Sequence, residues 1–153
     1  MDINGTMIKP ATEADFQDLK EMCRIHNEGH HDHRLYPFEL KKSVLTTDSQ
    51  VTFISYGSGK KVGFLKLHCK NSFESDDTAE CEFIISTAFQ RKGFASALLE
   101  KALEFLSTKP SVKYLTASIV AGNYASKALC KKFNFEEGNG NIKGSHWRKS
   151  LYR

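Results

Sequence analysis

Three groups of residues in this 153-residue chain have types and spacings suited to chemistry. The first is Gln90-Arg91-Lys92-Gly93-Phe94-Ala95, a basic turn with a glycine at its centre. It follows an alternating apolar run and precedes a run of helical period, so it sits at a new helix N-terminus. Free backbone N–H groups and the positive end of the helix dipole meet there, and two cationic side chains join them. A phosphate or pyrophosphate suits such a turn; a solvated strand–helix connection is the plainer reading. The turn has no Gly-Lys-Ser/Thr ending, which excludes a P-loop, and it lacks the first glycine of a dinucleotide fingerprint. The second group is Glu80 and Glu82, two carboxylates on one face of a strand, which either do acid–base work or are solvated or ion-paired charge. The third is His30-His31-Asp32-His33, which invites a metal but has no further cysteine or carboxylate at ligand spacing, so no metal is expected.

The elements that position these residues are readable from periodicity. Cys81, Phe83 and Ile85 alternate with Glu80, Glu82 and Ile84, which predicts a strand over 79–86. Ala95, Leu98, Leu99, Ala102, Leu103 and Leu106 repeat with helical period. Before them come a short strand at 6–9 and a helix capped by Thr12 whose apolar face is Phe16, Leu19, Met22, Cys23 and His26. A polar loop at 27–37, a short second helix at 38–46 and a hairpin of strands 50–56 and 61–69 follow, turning through Gly57-Ser58-Gly59-Lys60. After the central pair come a strand at 113–120 and a helix at 123–132. Gly138-Asn139-Gly140-Asn141 then reads as a turn between two final strands, with Trp147 in the core and His68 and Lys66 on a polar strand face.

Composition limits the classes. The length suits one domain over residues 1–153, and 40% hydrophobic with 26% charged residues is ordinary for a globular protein. A net charge of +4, without basic runs or aromatic–basic interleaving, fits an anionic ligand and not a nucleic-acid partner. Cysteines at 23, 69, 81 and 130 form no CxxC pair, so a reduced, cytoplasmic protein is expected. The first ten residues carry no apolar signal core and no 18-residue apolar run occurs, so no membrane partner is expected.

The stretch from Ile85 to Ala95 resembles motif A of the GNAT superfamily of N-acetyltransferases, whose pyrophosphate loop reads Gln/Arg-x-x-Gly-x-Gly/Ala. Gln90, Gly93 and Ala95 fill its defining positions. Residues 123–135 are similar to motif B, matched at Asn123, Ser126, Leu129, Lys132 and Phe135. Two positions depart: Cys130 stands for the usual tyrosine and Asn134 for glycine, a mild change because asparagine tolerates positive φ. The resemblance covers roughly residues 50–138. It implies an α/β fold with a mixed, mostly antiparallel sheet, helices on both faces, and a parallel strand pair (79–86 and 113–120) that splays apart.

The resemblance also implies chemistry and a site. Acetyl-CoA, as co-substrate, would place its pantetheine arm against the backbone of Ile84, Ile85 and Ser86. Its phosphates would lie on Gln90, Arg91, Lys92, Gly93, Phe94, Ala95 and Ser96, with Asn123 contributing from motif B. An amine attacking the thioester must lose a proton, for which Glu82 or Glu80 is the candidate base. Cys130 has three readings: an acid replacing the absent tyrosine, an acylated nucleophile, or a packed core residue. His30, His31, His33 and Tyr36 fall in the loop that lines the acceptor site in GNAT-like folds. The expectation is thus an N-acetyltransferase working by direct attack in a ternary complex on a small-molecule or peptide amine, as a monomer or homodimer. The alternative is a catalytically silent CoA-binding regulatory module.

Overall fold

The computed structural model describes residues 7–29, 46–90, 92–120, 124–141 and 144–151. Within them the chain runs β1 (Met7–Pro10), α1 (Phe16–Gly29), β2 (Gln50–Gly57), β3 (Lys60–His68), β4 (Thr78–Ile85), α2 (Phe94–Leu106), β5 (Tyr114–Val120), α3 (Tyr124–Lys132), β6 (Glu136–Asn141) and β7 (Gly144–Ser150). The strands make one mixed sheet in the order β1-β2-β3-β4-β5-β7-β6. Neighbours are antiparallel except β4 and β5, which are parallel. The second helix expected at 38–46 lies, save for Thr46, outside the described residues.

Local chemistry explains the ends of these elements. The β2–β3 hairpin turns on Ser58 and Gly59, both at positive φ (53° and 79°), the geometry that matches strand twist in a two-residue loop. A 3₁₀ turn at Glu13–Asp15 leads into α1, and Asp15 Oδ2 accepts hydrogen bonds from the Thr12 N–H (2.8 Å) and hydroxyl (3.2 Å). Burial pushes the Asp15 carboxyl up, but Lys61 and Thr12 outweigh it and hold it below its ordinary value. Lys61 Nζ lies 2.7 Å from both Asp15 and Asp18, which ties the start of α1 to β3.

The two faces of the sheet differ. On one, Phe53, Leu65, Leu67, Cys81, Leu115 and Trp147 form a buried cluster with Leu98, Leu99, Ala102 and Leu106 of α2. Each such leucine contributes roughly 2 kcal/mol by leaving water, so the apolar stripe of α2 sets where the helix lies. On the other face, Ile54, Phe64 and Ile84 pack under Leu19 and Cys23 of α1. Further along the strands this second face turns polar, with Lys66 and His68 of β3 beside Glu82 and Glu80 of β4.

The C-terminal end corrects one expectation. Gly138-Asn139-Gly140-Asn141 is not a turn but part of edge strand β6, whose pairing with β7 shifts register between Glu137 and Gly140. Crowding between backbones selects these glycines. A Cβ on Gly140 would lie 2.8 Å from the Gly144 carbonyl oxygen, and one on Gly138 would lie 3.2 Å from that of His146. Asn134 takes positive φ (64°) just past α3, where Phe135 N–H donates to the Cys130 carbonyl (2.9 Å) and Asn134 N–H to that of Lys131 (3.1 Å). This is a Schellman cap, which commonly pairs an apolar residue after the helix with one inside its last turn. Among the described residues no helix is long and apolar enough to cross a membrane.

Candidate functional site

The parallel pair at the centre of the sheet comes apart. Backbone pairing joins Thr78, Ala79 and Glu80 to Tyr114, Leu115 and Thr116, yet β4 continues to Ile85 and β5 to Val120. Beyond Glu80, the β5-facing side of β4 has no strand partner among the described residues. Such a fork leaves backbone donors and acceptors of 81–85 open to a linear, amide-bearing ligand. Gly63 lets β3 close up on the other side, because a Cβ there would lie 2.5 Å from Ile85 Cδ1 and 2.7 Å from the Ile84 carbonyl oxygen.

At the end of β4 the chain enters the basic turn. The Gln90 amide Nε2 donates to the Ile85 carbonyl (3.1 Å), and Phe89 packs edge-on against Phe94 with centroids 5.8 Å apart. Phe94 in turn lies against Gly57, where a Cβ would be only 2.9 Å from its ring, and this seats the first turn of α2 on the β2–β3 hairpin. Gly93 is the N-cap residue of α2, at φ 87°, and nothing lies within 4 Å of where its Cβ would be. Glycine is required by conformation, and the space above the helix N-terminus is open. Lys92 is exposed there, and Lys132 Nζ from the end of α3 donates to Ser96 Oγ (3.1 Å), adding a second cation beside the first turn. Free N–H groups, open space and cations together can hold a phosphate.

At the mouth of the fork stands a side-chain cluster. His68 Nε2 lies 3.1 Å from Glu80 Oε1 and 3.0 Å from Glu82 Oε1, and all three side chains are about one-third exposed (33–35%). Hydrogen bonds donated to Glu80 and then Glu82 outweigh burial and raise the imidazole from 6.5 to about 9, so His68 is a cation at neutral pH. Glu80 is held below its ordinary carboxylate value, chiefly by His68. The three groups lie within 4.8 Å of one another, and the nitrogen–oxygen distances are those of hydrogen bonds. On the side of β3 away from the fork, Thr52 of β2 lies opposite Lys66, and its buried hydroxyl has no hydrogen-bond partner among the described residues.

The structure brings Glu80 and Glu82 together and adds His68, which the strand pattern alone places on a polar face with Lys66. The signal was present: antiparallel pairing of β3 and β4 puts His68 opposite Glu80 and Lys66 opposite Glu82. Ser118 and His146, across the fork, are polar neighbours of Glu80 that spacing along the chain does not reveal. Cys130, weighed as acid or nucleophile, is 1% exposed in the cluster on the opposite face, and burial pushes its thiol up to about 12. That is the packed-residue reading. Ile84, Ile85 and Ser86 lie at the end of β4, with Ser86 N–H bonded to the Val62 carbonyl (2.8 Å). His30, His31, His33, Tyr36, Arg91 and Asn123 lie outside the described residues.

Comparison with known proteins bears on this geometry. The sequence model of the acetyltransferase (GNAT) family matches residues 14–135. No curated protein gives a significant sequence match. Among solved structures, the chain is similar to the GNAT domain of S. lividans PAT, with a TM-score of 0.75 at 16% identity over 95% of this chain and 90% of that one. It is similar to an acetyltransferase of the GNAT family from Streptococcus pneumoniae, with a TM-score of 0.69 at 18% identity over 95% and 99%. It also resembles the PaiA N-acetyltransferase from Thermoplasma acidophilum in complex with coenzyme A, with a TM-score of 0.72 at 11% identity over 95% and 99%. At these identities the structural likeness concerns the fold.

Proposed function

The chain belongs to the GNAT family of acetyltransferases, and we propose that it moves an acetyl group from acetyl-CoA to a primary amine by direct attack in a ternary complex. One observation carries the reading: the β4–β5 pairing ends at Glu80 and Thr116, and the Glu80–Glu82–His68 cluster stands at that point. The open backbone of 81–85 would take the pantetheine arm, and the Gly93 turn at the start of α2 the pyrophosphate. The coenzyme A held by the Thermoplasma acidophilum neighbour supports this choice of co-substrate.

The cluster suits the proton traffic of amine acylation. Two carboxylates and one imidazolium carry a net negative charge at neutral pH, which draws in a cationic amine. The bound ammonium first gives up one proton to water, and attack by the resulting neutral amine on the thioester carbon then forms the C–N bond and leaves the nitrogen cationic. That nitrogen is far more acidic than the free ammonium, so a carboxylate of low pKa is basic enough to take its proton. Backbone N–H groups freed by the fork stabilise the oxyanion, and the C–S bond then breaks to release CoA thiolate. The acceptor is a small-molecule or peptide amine.

A second reading, a CoA-binding module without turnover, draws on Cys130, since the position of the family's tyrosine holds a thiol sealed in the core. One experiment separates the two. Release of free CoA thiol from acetyl-CoA is followed across spermidine, an aminoglycoside, amino acids and a lysine peptide, beside CoA thermal-shift titrations. Amine-dependent thiol release is the expected result. A CoA-dependent shift without thiol release from any of these amines selects the silent module.

A further inference from the structure

The carboxylate cluster does not end at β4. Ser118 Oγ lies 3.4 Å from Glu80 Oε2 and 3.0 Å from His146 Nδ1. Ser118 and His146 are register partners on β5 and β7, and both are exposed. Hydrogen-bonded side chains therefore run from Glu82 through His68, Glu80 and Ser118 to His146, over four neighbouring strands. The chain crosses from β4 to β5 just past the last backbone pair, where side chains alone join the two strands.

From this geometry we infer that Ser118 and His146 form a proton relay that carries the acceptor amine's proton from Glu80 out to solvent. The inference rests on the acetyltransferase reading of the site. An acceptor seated at the fork shields Glu80 and Glu82 from water, whereas His146 stands on the far side of β5. The relay balances as follows. A proton leaving the acylated nitrogen reaches Glu80, directly or through Glu82 and the shared His68 Nε2. The neutral Glu80 carboxyl turns its O–H toward Ser118 Oγ, and the Ser118 hydroxyl proton passes to His146 Nδ1. His146 then gives its Nε2 proton to water. In the resting arrangement the same serine hydroxyl donates to the Glu80 carboxylate instead, so the path resets by one hydroxyl rotation together with return of the His146 proton from Nδ1 to Nε2 by exchange with water. A hydroxyl is suited to this because it both donates and accepts.

Other titratable groups on this face of the neighbouring strands are Lys66 of β3, Tyr114 of β5, Arg148 of β7 and Glu136 of β6. Cys23 of α1 is buried further along, with Ile84. Arg148 lies over the Tyr114 ring at 4.6 Å, which leaves Ser118 as the link from Glu80 to His146. Ser118 and His146 act through Glu80 and so serve as positioning residues.

A proton shuttle has a signature that a structural residue lacks, namely replacement by a dissolved proton carrier. In weakly buffered solution, His146→Ala and Ser118→Ala are expected to lower kcat for amine-dependent thiol release about tenfold, with KM for acetyl-CoA unchanged. Added imidazole should restore most of the loss in His146→Ala, shift its pH profile back toward wild type, and do little for Ser118→Ala, where the break is internal. Unchanged kcat in both variants, or a loss that imidazole does not touch, overturns the relay. Wild-type protein that releases no thiol with any amine of the panel counts against the acetyltransferase reading, and the relay is then judged by ¹⁵N NMR of the imidazoles. The His146 Nδ1 signal should move on Glu80→Gln and stop responding once Ser118 is alanine. No response to Glu80→Gln overturns the connection itself.

Discussion

Along β4, alternate residues of one strand meet two different environments. Cys81, Phe83 and Ile85 face α2 and α3, and the thiols on that side, Cys81 and Cys130, are buried with their pKa values pushed up by loss of water. Glu80 and Glu82 face the other way, one-third exposed, beside a histidine that stays protonated. Both sides hold side chains that chemistry could use. The difference is that burial without a partner favours the neutral, inert thiol, whereas carboxylates next to a cation and near water stay ionised and can exchange protons. The tyrosine position of motif B thus holds a buried thiol in the last turn of α3, which favours the packed reading of Cys130.

The largest expected effect tests the polar side. In the double variant Glu80→Gln, Glu82→Gln, thiol release with the best amine of the panel should fall about 100-fold or more, while the CoA-dependent thermal shift persists. Retained turnover would remove these carboxylates from the mechanism. Next comes the basic turn, which both sides share. Gly93→Glu strains a residue at φ 87° and puts an anion where phosphate should bind, so CoA affinity by calorimetry should drop roughly 10- to 100-fold.

The apolar side should respond in the opposite sense. Cys130→Ala should cost about 1 kcal/mol or slightly more in urea unfolding by leaving a small void, with kcat nearly unchanged. A collapse in kcat with stability intact would restore the thiol as a reacting group. The smallest effect concerns pH. His68 is raised from 6.5 to about 9 on folding, so its stabilisation is full below pH 6.5 and fades as pH rises through 9. After discounting for solvent screening this is worth roughly 1 kcal/mol. Urea unfolding near neutrality and at high pH should show that difference in wild type, and His68→Gln should lack it.

Much of this was legible along the chain. Alternation at 79–86 and helical period at 95–106 predict β4 and α2, because each element must bury one face and the spacing of apolar residues records which. The Gln90–Ala95 turn is likewise local, since a glycine at positive φ before a helix needs no distant partner. One reading failed and one partnership went unseen, for a different reason. Gly138 and Gly140 look like turn residues when read by themselves, and only the closeness of β7 shows that they relieve crowding. His68 looks like a surface histidine until β3 is laid against β4.

The sequence by itself determined most of the order of the described elements and the position of the basic turn, which follow from propensity and spacing over short range, while two short motifs carried the family resemblance. Tertiary structure decided which polar residues work together. His68, Glu80, Ser118 and His146 come from four strands and are far apart in the chain, and only sheet register brings them within hydrogen-bonding distance. Register also assigns each face to water or to the core, and burial then sets which group keeps its charge.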